Sequence, residues 1–337
     1  MKRISAVLAL LLSYSTVFAQ PSVHDPALAF CNGKWYMYTT GFGIDVRSST
    51  DLLNWNLEKQ VFESAPKWAV DMVPRFFGHI WAPDIFFHDD TYYLYYSCSS
   101  FGKNTSAIGV ATNKTLDPAG SDYKWLDHGC VVNSVAGRDL WNAIDPNAVE
   151  DEDGNVWLAF GSFWGGIKLV KLDSTLTRPA EPQIWYPLCR RPEGTADDTS
   201  LTDDAIKADP RGKDFDPGNG AVEAPFIYKK DGYYYLFVSY DLCCRGPKSN
   251  YKVVVGRSKA VTGPYYDSDG IPLMSGGGTV VISGNDRFPG VGHCAVVEFD
   301  GKDKLVVHGY DRDDHYNSRL IVRDINWDAD GWPSAKL

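Results

Sequence analysis

Basic charge, paired cysteines and long apolar runs are all scarce in this chain, and each shortage removes a class of protein. Lysine and arginine number 33 against 43 acidic residues, a formal net charge of −10. So acidic a chain lacks the basic footprint that nucleic acid requires, and it disfavours polyanionic partners as well. Seven cysteines (Cys31, Cys98, Cys130, Cys189, Cys243, Cys244 and Cys294) are too few and too scattered to frame a domain of 337 residues. Their odd number leaves at least one thiol outside any internal bridge, and a vicinal Cys243–Cys244 bond or a long-range one stays open. No CxxC, HExxH or DxDxDG pattern occurs, so the local metal-binding motifs are missing too. No long stretch carries the 3.6-residue periodicity of an amphipathic helix.

The apolar run from Ile4 to Leu12 is too short to span a bilayer. Lys2 and Arg3 precede it and Val17-Phe18-Ala19 follow, the layout of a signal peptide over residues 1–19 cleaved before Gln20. No cysteine stands near that point to carry a lipid, so a free periplasmic or secreted protein is expected over residues 20–337.

Aromatic residues and turn formers, by contrast, are plentiful: 11 Trp, 19 Tyr and 16 Phe with 31 Gly and 19 Pro, a composition suited to a β-rich core. They are arranged in a repeat. Asp25, Trp81, Asp145, Glu223 and His293 each open a short apolar strand, and a turn leads into a second strand anchored at Tyr36, Tyr93, Trp157, Tyr235 and Lys304. The offsets from opener to anchor are 11, 12, 12, 12 and 11 residues. Asn32-Gly33, Asp153-Gly154, Asp231-Gly232 and Asp300-Gly301 supply hairpin turns, whose backbone needs φ > 0. Anchor spacings of 57, 64, 78 and 69 residues leave room for two more strands per unit. The expected fold is therefore all-β: one domain, a five-bladed propeller of four-stranded blades, with no linker or appended module.

Equivalent positions in a propeller converge on its axis, so the openers would share one pocket. Glycosidic cleavage needs a protonated carboxylic acid at the leaving oxygen and a carboxylate near the anomeric carbon. Asp25, Asp145 and Glu223 offer three carboxyls that cannot all ionise easily, so one should carry a raised pKa. Glu223, with the longer reach and the higher intrinsic pKa, is the better acid. Trp81 offers a flat face for a sugar ring. His293 could hold a cation, although Ca²⁺ prefers oxygen ligands, so any metal would be mainly water-coordinated. A neutral polymer suits so acidic a protein.

Four segments carry a resemblance to glycoside hydrolase family 43: Val23-His24-Asp25-Pro26, Trp81-Ala82-Pro83-Asp84-Ile85, Asn142 to Asn147, and Val222-Glu223-Ala224-Pro225. Ser99 to Gly109, Phe160 to Leu169 and Asp241 to Gly246 are similar, more narrowly, to its arabinan-degrading branch. The resemblance covers essentially the whole mature chain. It implies a five-bladed propeller and inverting hydrolysis of α-1,5-linked L-arabinofuranose in arabinan; an endo mode and a monomer are expected. It further implies Asp25 as general base, Glu223 as general acid and Asp145 as the residue that orients the acid and tunes its pKa. His293 would line a Ca²⁺-type site, and Phe101, Asn142, Ser162 and Trp164 would line the sugar cleft.

One stretch, between Arg191 and Ala221, is a Pro/Gly/Asp-rich insertion longer than that branch usually carries. It leads into Glu223 and would sit on the rim of the catalytic face, where it could favour an exo over an endo mode. The other readings are a β-xylosidase or α-L-arabinofuranosidase with the same trio, or a propeller that binds glycans without cleaving them. A pure binder has no need of three axial carboxylates.

Overall fold

The computed structural model describes residues 20–192 and 220–337. The expected signal peptide and most of the insertion lie outside the described residues.

Five antiparallel blade sheets follow one another along the described residues, each starting at the axis and working outward, and a two-stranded ribbon of Asn326–Trp327 and Pro333–Ser334 comes after them. The first runs Ala27–Cys31, Lys34–Thr39, Asp45–Ser49, Asn56–Leu57. The second runs His79–His88, Thr91–Cys98, Ser106–Asn113, Leu126–Ser134, with the short strand Gly41–Phe42 added on its inner edge. Asn147–Glu150, Val156–Phe160, Ile167–Lys171 and Trp185–Cys189 form the third, and Val222–Lys230, Tyr233–Tyr240, Lys252–Ser258 and Thr279–Ile282 the fourth. The fifth, Val291–Phe299, Lys302–Asp311 and Asn317–Asp324, has three strands where four were expected. N-terminal residues partly fill the missing place: Ser22 bridges Arg319, and Leu320 N–H donates to the Pro21 carbonyl. Lys67–Met72 is the one α-helix among the described residues, and no described helix is long and apolar enough to cross a membrane.

The period-2 alternation of each strand divides its side chains between two neighbouring blades. Tyr235 and Phe237 pack toward the fifth blade, while Tyr234 and Leu236 pack toward the third. Five separate apolar clusters result, one at each blade–blade interface. The last of these joins Leu28 and Met37 of the first blade to Ala295, Val297, Val306 and Leu320 of the fifth, and so closes the ring. Each fully buried side chain of this size contributes about 1.5–3 kcal/mol.

Each innermost strand is kinked at its axial end by one residue in the left-handed region: Asp25, Ala82, Asp145, Ala224 and His293. Pairing registers slip at the same places, between Trp81 and Asp84, Glu223 and Phe226, and Gly292 and Ala295. Asp25, Asp145 and His293 thus occupy the matched position, whereas Trp81 and Glu223 stand one residue before it. The sequence alignment of openers was offset by one in those two blades. The kink corrects for the slip, because a bulge re-aims neighbouring side chains. His24 with Asp25, and Ile144 with Asp145, both reach the axial cavity.

Behind these kinks runs a belt of hydrogen bonds that ties each blade to the next. Backbone N–H groups of Ala82, Asp145 and His293 donate to hydroxyls of Thr40, Ser97 and Ser239 in the preceding blade, at 2.8, 3.0 and 2.9 Å. Asp25 N–H donates to His308 Nδ1 of the fifth blade at 3.2 Å. The third blade has Gly161 at the corresponding place, because a Cβ there would stand 2.6 Å from the Gly166 carbonyl oxygen. Asp145 Oδ2 takes over the missing acceptor, receiving Ala224 N–H at 3.1 Å.

Candidate active site

The kinked strand ends surround a cavity of about 870 Å³ on the axis. All nine residues singled out in the sequence line it: Asp25, Trp81, Phe101, Asn142, Asp145, Ser162, Trp164, Glu223 and His293. Phe101 and Trp164 are exposed on the rim. Asn142 is buried, its Oδ1 accepting from Ser106 Oγ at 2.6 Å. Trp81 is fixed by donation of its indole N–H to His79 Nδ1 at 2.8 Å.

Asp25 is the most heavily partnered of the three carboxylates. Its Oδ1 lies 2.8 Å from His24 Nδ1 and 3.1 Å from His293 Nδ1, and Thr40 Oγ1 donates to Oδ2 at 2.5 Å. Burial opposes ionisation here, but the two imidazoles outweigh it and hold the carboxyl well below its usual range. Those rings move the opposite way. Burial resists the charge on His293, yet Asp25 raises its pKa to about 9, and His24 rises well above its ordinary value. His308, buried behind them and facing the cationic His24, is pushed well below and stays neutral. A neutral Nδ1 can accept the Asp25 N–H, so the hydrogen bond and the charge state agree.

Asp145 and Glu223 occupy the other side of the electrostatic balance. Burial raises both, and for Asp145 the charges of Glu223 and Asp25 add to the effect. Two adjacent buried carboxylates cannot both ionise readily, so the pair retains a proton where an isolated carboxyl would have lost it. Glu223 accepts hydrogen bonds from Ser162 Oγ at 2.8 Å and Tyr251 O–H at 2.9 Å. Both donations favour the ionised form and offset part of the rise that burial causes. Ser162 is placed by a tight turn: Phe163 and Trp164 have positive φ, and a Cβ on Gly165 would meet the Leu140 carbonyl oxygen at 2.1 Å.

Sequence reasoning missed several members of this site. His24, Thr40, Tyr251, His308 and Tyr310 shape or charge it, and none opens a blade. Thr40, Ser97, Ser239 and His308 do recur at a regular offset from the kinks, which was the signal available.

The donors around His293 fit a calcium ion poorly as a protein cage. His293 Nδ1 already pairs with Asp25, and the nearest tight group of ligand atoms is His24, Asp25 and His308, two imidazoles to one carboxylate. Calcium takes six to eight oxygens. A water-coordinated ion, as expected from the sequence, asks no more of the protein than one imidazole edge.

A cavity that holds one carboxylate ionised and a second pair of carboxyls sharing a proton, beside a fixed tryptophan, is that of a glycoside hydrolase built on a propeller. The profile of Glycosyl hydrolases family 43 matches residues 14–333, and the chain belongs to that family. Among its relatives, the extracellular exo-α-(1→5)-L-arabinofuranosidase ArbA of Cellvibrio japonicus is 48% identical over 98% of this chain and 91% of the relative. The extracellular endo-α-(1→5)-L-arabinanase 1 of Bacillus subtilis is 40% identical over 93% and 87%. Among solved structures, the Cellvibrio cellulosa α-L-arabinanase complexed with arabinohexaose superposes with a TM-score of 0.85 at 49% identity, covering 94% of this chain and 96% of that one.

Proposed function

We propose that the protein hydrolyses α-1,5-L-arabinofuranosidic bonds of arabinan with inversion. The carrying observation is the contrast between Asp25, held ionised by His24 and His293, and Glu223, held toward the protonated form by burial. Asp25 takes a proton from a water whose oxygen attacks the anomeric carbon. The bond to the leaving oxygen breaks as Glu223 delivers its proton there, and the product carries the opposite anomeric configuration. Asp145 positions the acid, since its carboxylate grips the backbone at Ala224, next to Glu223, and its charge discourages loss of the shared proton. Trp81, Phe101 and Trp164 offer faces to sugar rings, with Asn142 and Ser162 supplying polar contacts. The names of the relatives quoted above support this substrate class, and those called extracellular support a secreted or periplasmic location.

The mode of attack has two readings. Endo cleavage was expected from the sequence. The higher identity to the exo-named Cellvibrio relative favours release of short products from a chain end. Product analysis on linear debranched arabinan, against arabinoxylan and aryl glycosides, tests both. A ladder of intermediate oligosaccharides indicates endo attack, and one short product from the start indicates exo attack. Activity on arabinoxylan alone would overturn the substrate assignment, as would proton NMR showing a retained anomer for the mechanism. A calcium ion held mainly by water beside His293 would shape the field of the pocket and take no part in bond making. Full activity and stability after chelation would make it incidental.

A further inference from the structure

Two features of the cavity wall play no part in the chemistry above. Cys243 and Cys244 both line the cavity, and their sulfurs lie 2.7 Å apart, closer than two unbonded sulfurs normally approach. Cys244 has φ +60°, a left-handed conformation that a residue with a Cβ adopts only under local constraint. The constraint is visible. Leu242 and Asn250 bond each other across the loop through Leu242 N–H to Asn250 Oδ1 at 3.0 Å and Asn250 N–H to the Leu242 carbonyl at 3.1 Å. Cys244 N–H donates to Tyr310 O–H at 2.8 Å, and the same hydroxyl lies 2.9 Å from His24 Nε2. The loop thus holds two adjacent thiols face to face, accessible from the cavity, against the histidine that braces Asp25. The other five cysteines are scattered singly, four of them buried.

We propose that Cys243 and Cys244 close into a disulfide between neighbouring residues, and that this bond forms an apolar patch of the wall on which a furanose ring packs. The oxidant is a thiol-exchanging disulfide, R–S–S–R, of the kind found in oxidising compartments. Cys244, with His24 Nε2 at 3.7 Å and Tyr310 O–H at 3.6 Å, attacks one sulfur as the thiolate and expels the first RS⁻. Cys243 then attacks Cys244 Sγ and expels the second. Two Cys protons end on two RSH molecules, the cysteine pair has lost two electrons, and R–S–S–R has gained them. Closing the ring replaces two mobile S–H groups by one fixed sulfur surface and locks the loop that carries it. The sugar-packing half of this proposal rests on the glycosidase reading above, and the disulfide half does not.

The test uses the full-length enzyme exported to an oxidising compartment. Trypsin should release residues 231–245 as one peptide holding only these two cysteines. Alkylated under denaturing conditions without reductant, that peptide should be unmodified and lighter than its reduced form by two hydrogens. After phosphine it should take two adducts. On linear arabinan, phosphine should raise KM about three- to tenfold, the loss of roughly one methylene's worth of apolar contact together with the ordering of one loop, and leave kcat nearly constant. The Cys243→Ala/Cys244→Ala enzyme should show the raised KM and ignore phosphine, with Cys243→Ser/Cys244→Ser as the substitute if the alanine pair does not fold. Two adducts without reductant overturn the disulfide. An intact disulfide whose reduction leaves KM unmoved overturns its role in sugar binding. An oxidised peptide in a protein inert on arabinan refutes the proposed substrate and leaves the disulfide standing.

Discussion

Replacing Tyr251 by phenylalanine should make the enzyme work at higher pH. The tyrosine hydroxyl donates to Glu223 Oε1 at 2.9 Å and, with Ser162, favours the ionised form against burial, which favours the protonated one. The ring itself is well held: Tyr251 is 1% exposed, and its edge packs so closely on Gly292 that a Cβ there would stand 2.3 Å from Cδ1. Phenylalanine keeps that packing and deletes only the donor. A hydrogen bond to a charged group is worth about 1.5–3 kcal/mol. At 1.36 kcal/mol per pKa unit this is about one to two units, and a replacing water brings the expectation to about one. A general acid must be protonated, so activity falls as pH rises through its pKa, and raising that pKa moves the alkaline limb upward. The assay is kcat/KM on a linear arabino-oligosaccharide across the neutral and alkaline range. A limb that stays in place or moves down would refute the assignment of Glu223 as the acid tuned by Tyr251. A lost plateau rate with an unmoved limb would refute it equally.

Asp145→Asn should shift the same limb down, because the neutral amide can still accept Ala224 N–H but no longer repels a charge on Glu223; the same pH–rate series reads it. Thr40→Val removes the donor to Asp25 Oδ2 and leaves Ala82 N–H without its acceptor, which should cost about 1–3 kcal/mol in denaturant titration and lower kcat. His293 rises from 6.5 unfolded to about 9 folded, so its contribution to stability is complete below pH 6.5 and is lost as pH climbs toward 9. Tm measured in chelator should therefore fall over that interval, and His293→Gln should flatten the fall.

The blade repeat was legible because hairpin turns and aromatic strands leave strong local marks. The anchors Tyr36, Tyr93, Trp157, Tyr235 and Lys304 pair opposite equivalent residues in all five blades. The one-residue offset at Trp81 and Glu223 was not legible, because the left-handed residue after each is an alanine, which carries no turn signature. The missing strand of the fifth blade escaped for another reason: length alone leaves room for a strand without requiring one. Tyr251 was hidden deeper. It lies just before the third strand of its blade, and only folding carries that position back to the axis. His24 stood beside Asp25 in the sequence, but its role depends on Tyr310 and His308, which approach from the far end of the chain.

The join between the first and fifth blades has a thermodynamic consequence. Among the described residues no complete strand crosses it. It is held by one apolar cluster, the pairing of Gln20, Pro21 and Ser22 with Arg319 and Leu320, the contact of His24 with Tyr310, and those of Asp25 with His293 and His308. The groups that bind and cleave sugar are also the clasp of the ring. A sugar seated across that clasp acts as a staple between the two ends of the chain, stabilising the closed ring by RT ln(1 + [L]/Kd). Substrate in the surroundings would then protect the protein as it is being consumed, and a depleted enzyme would be the one most open to loss.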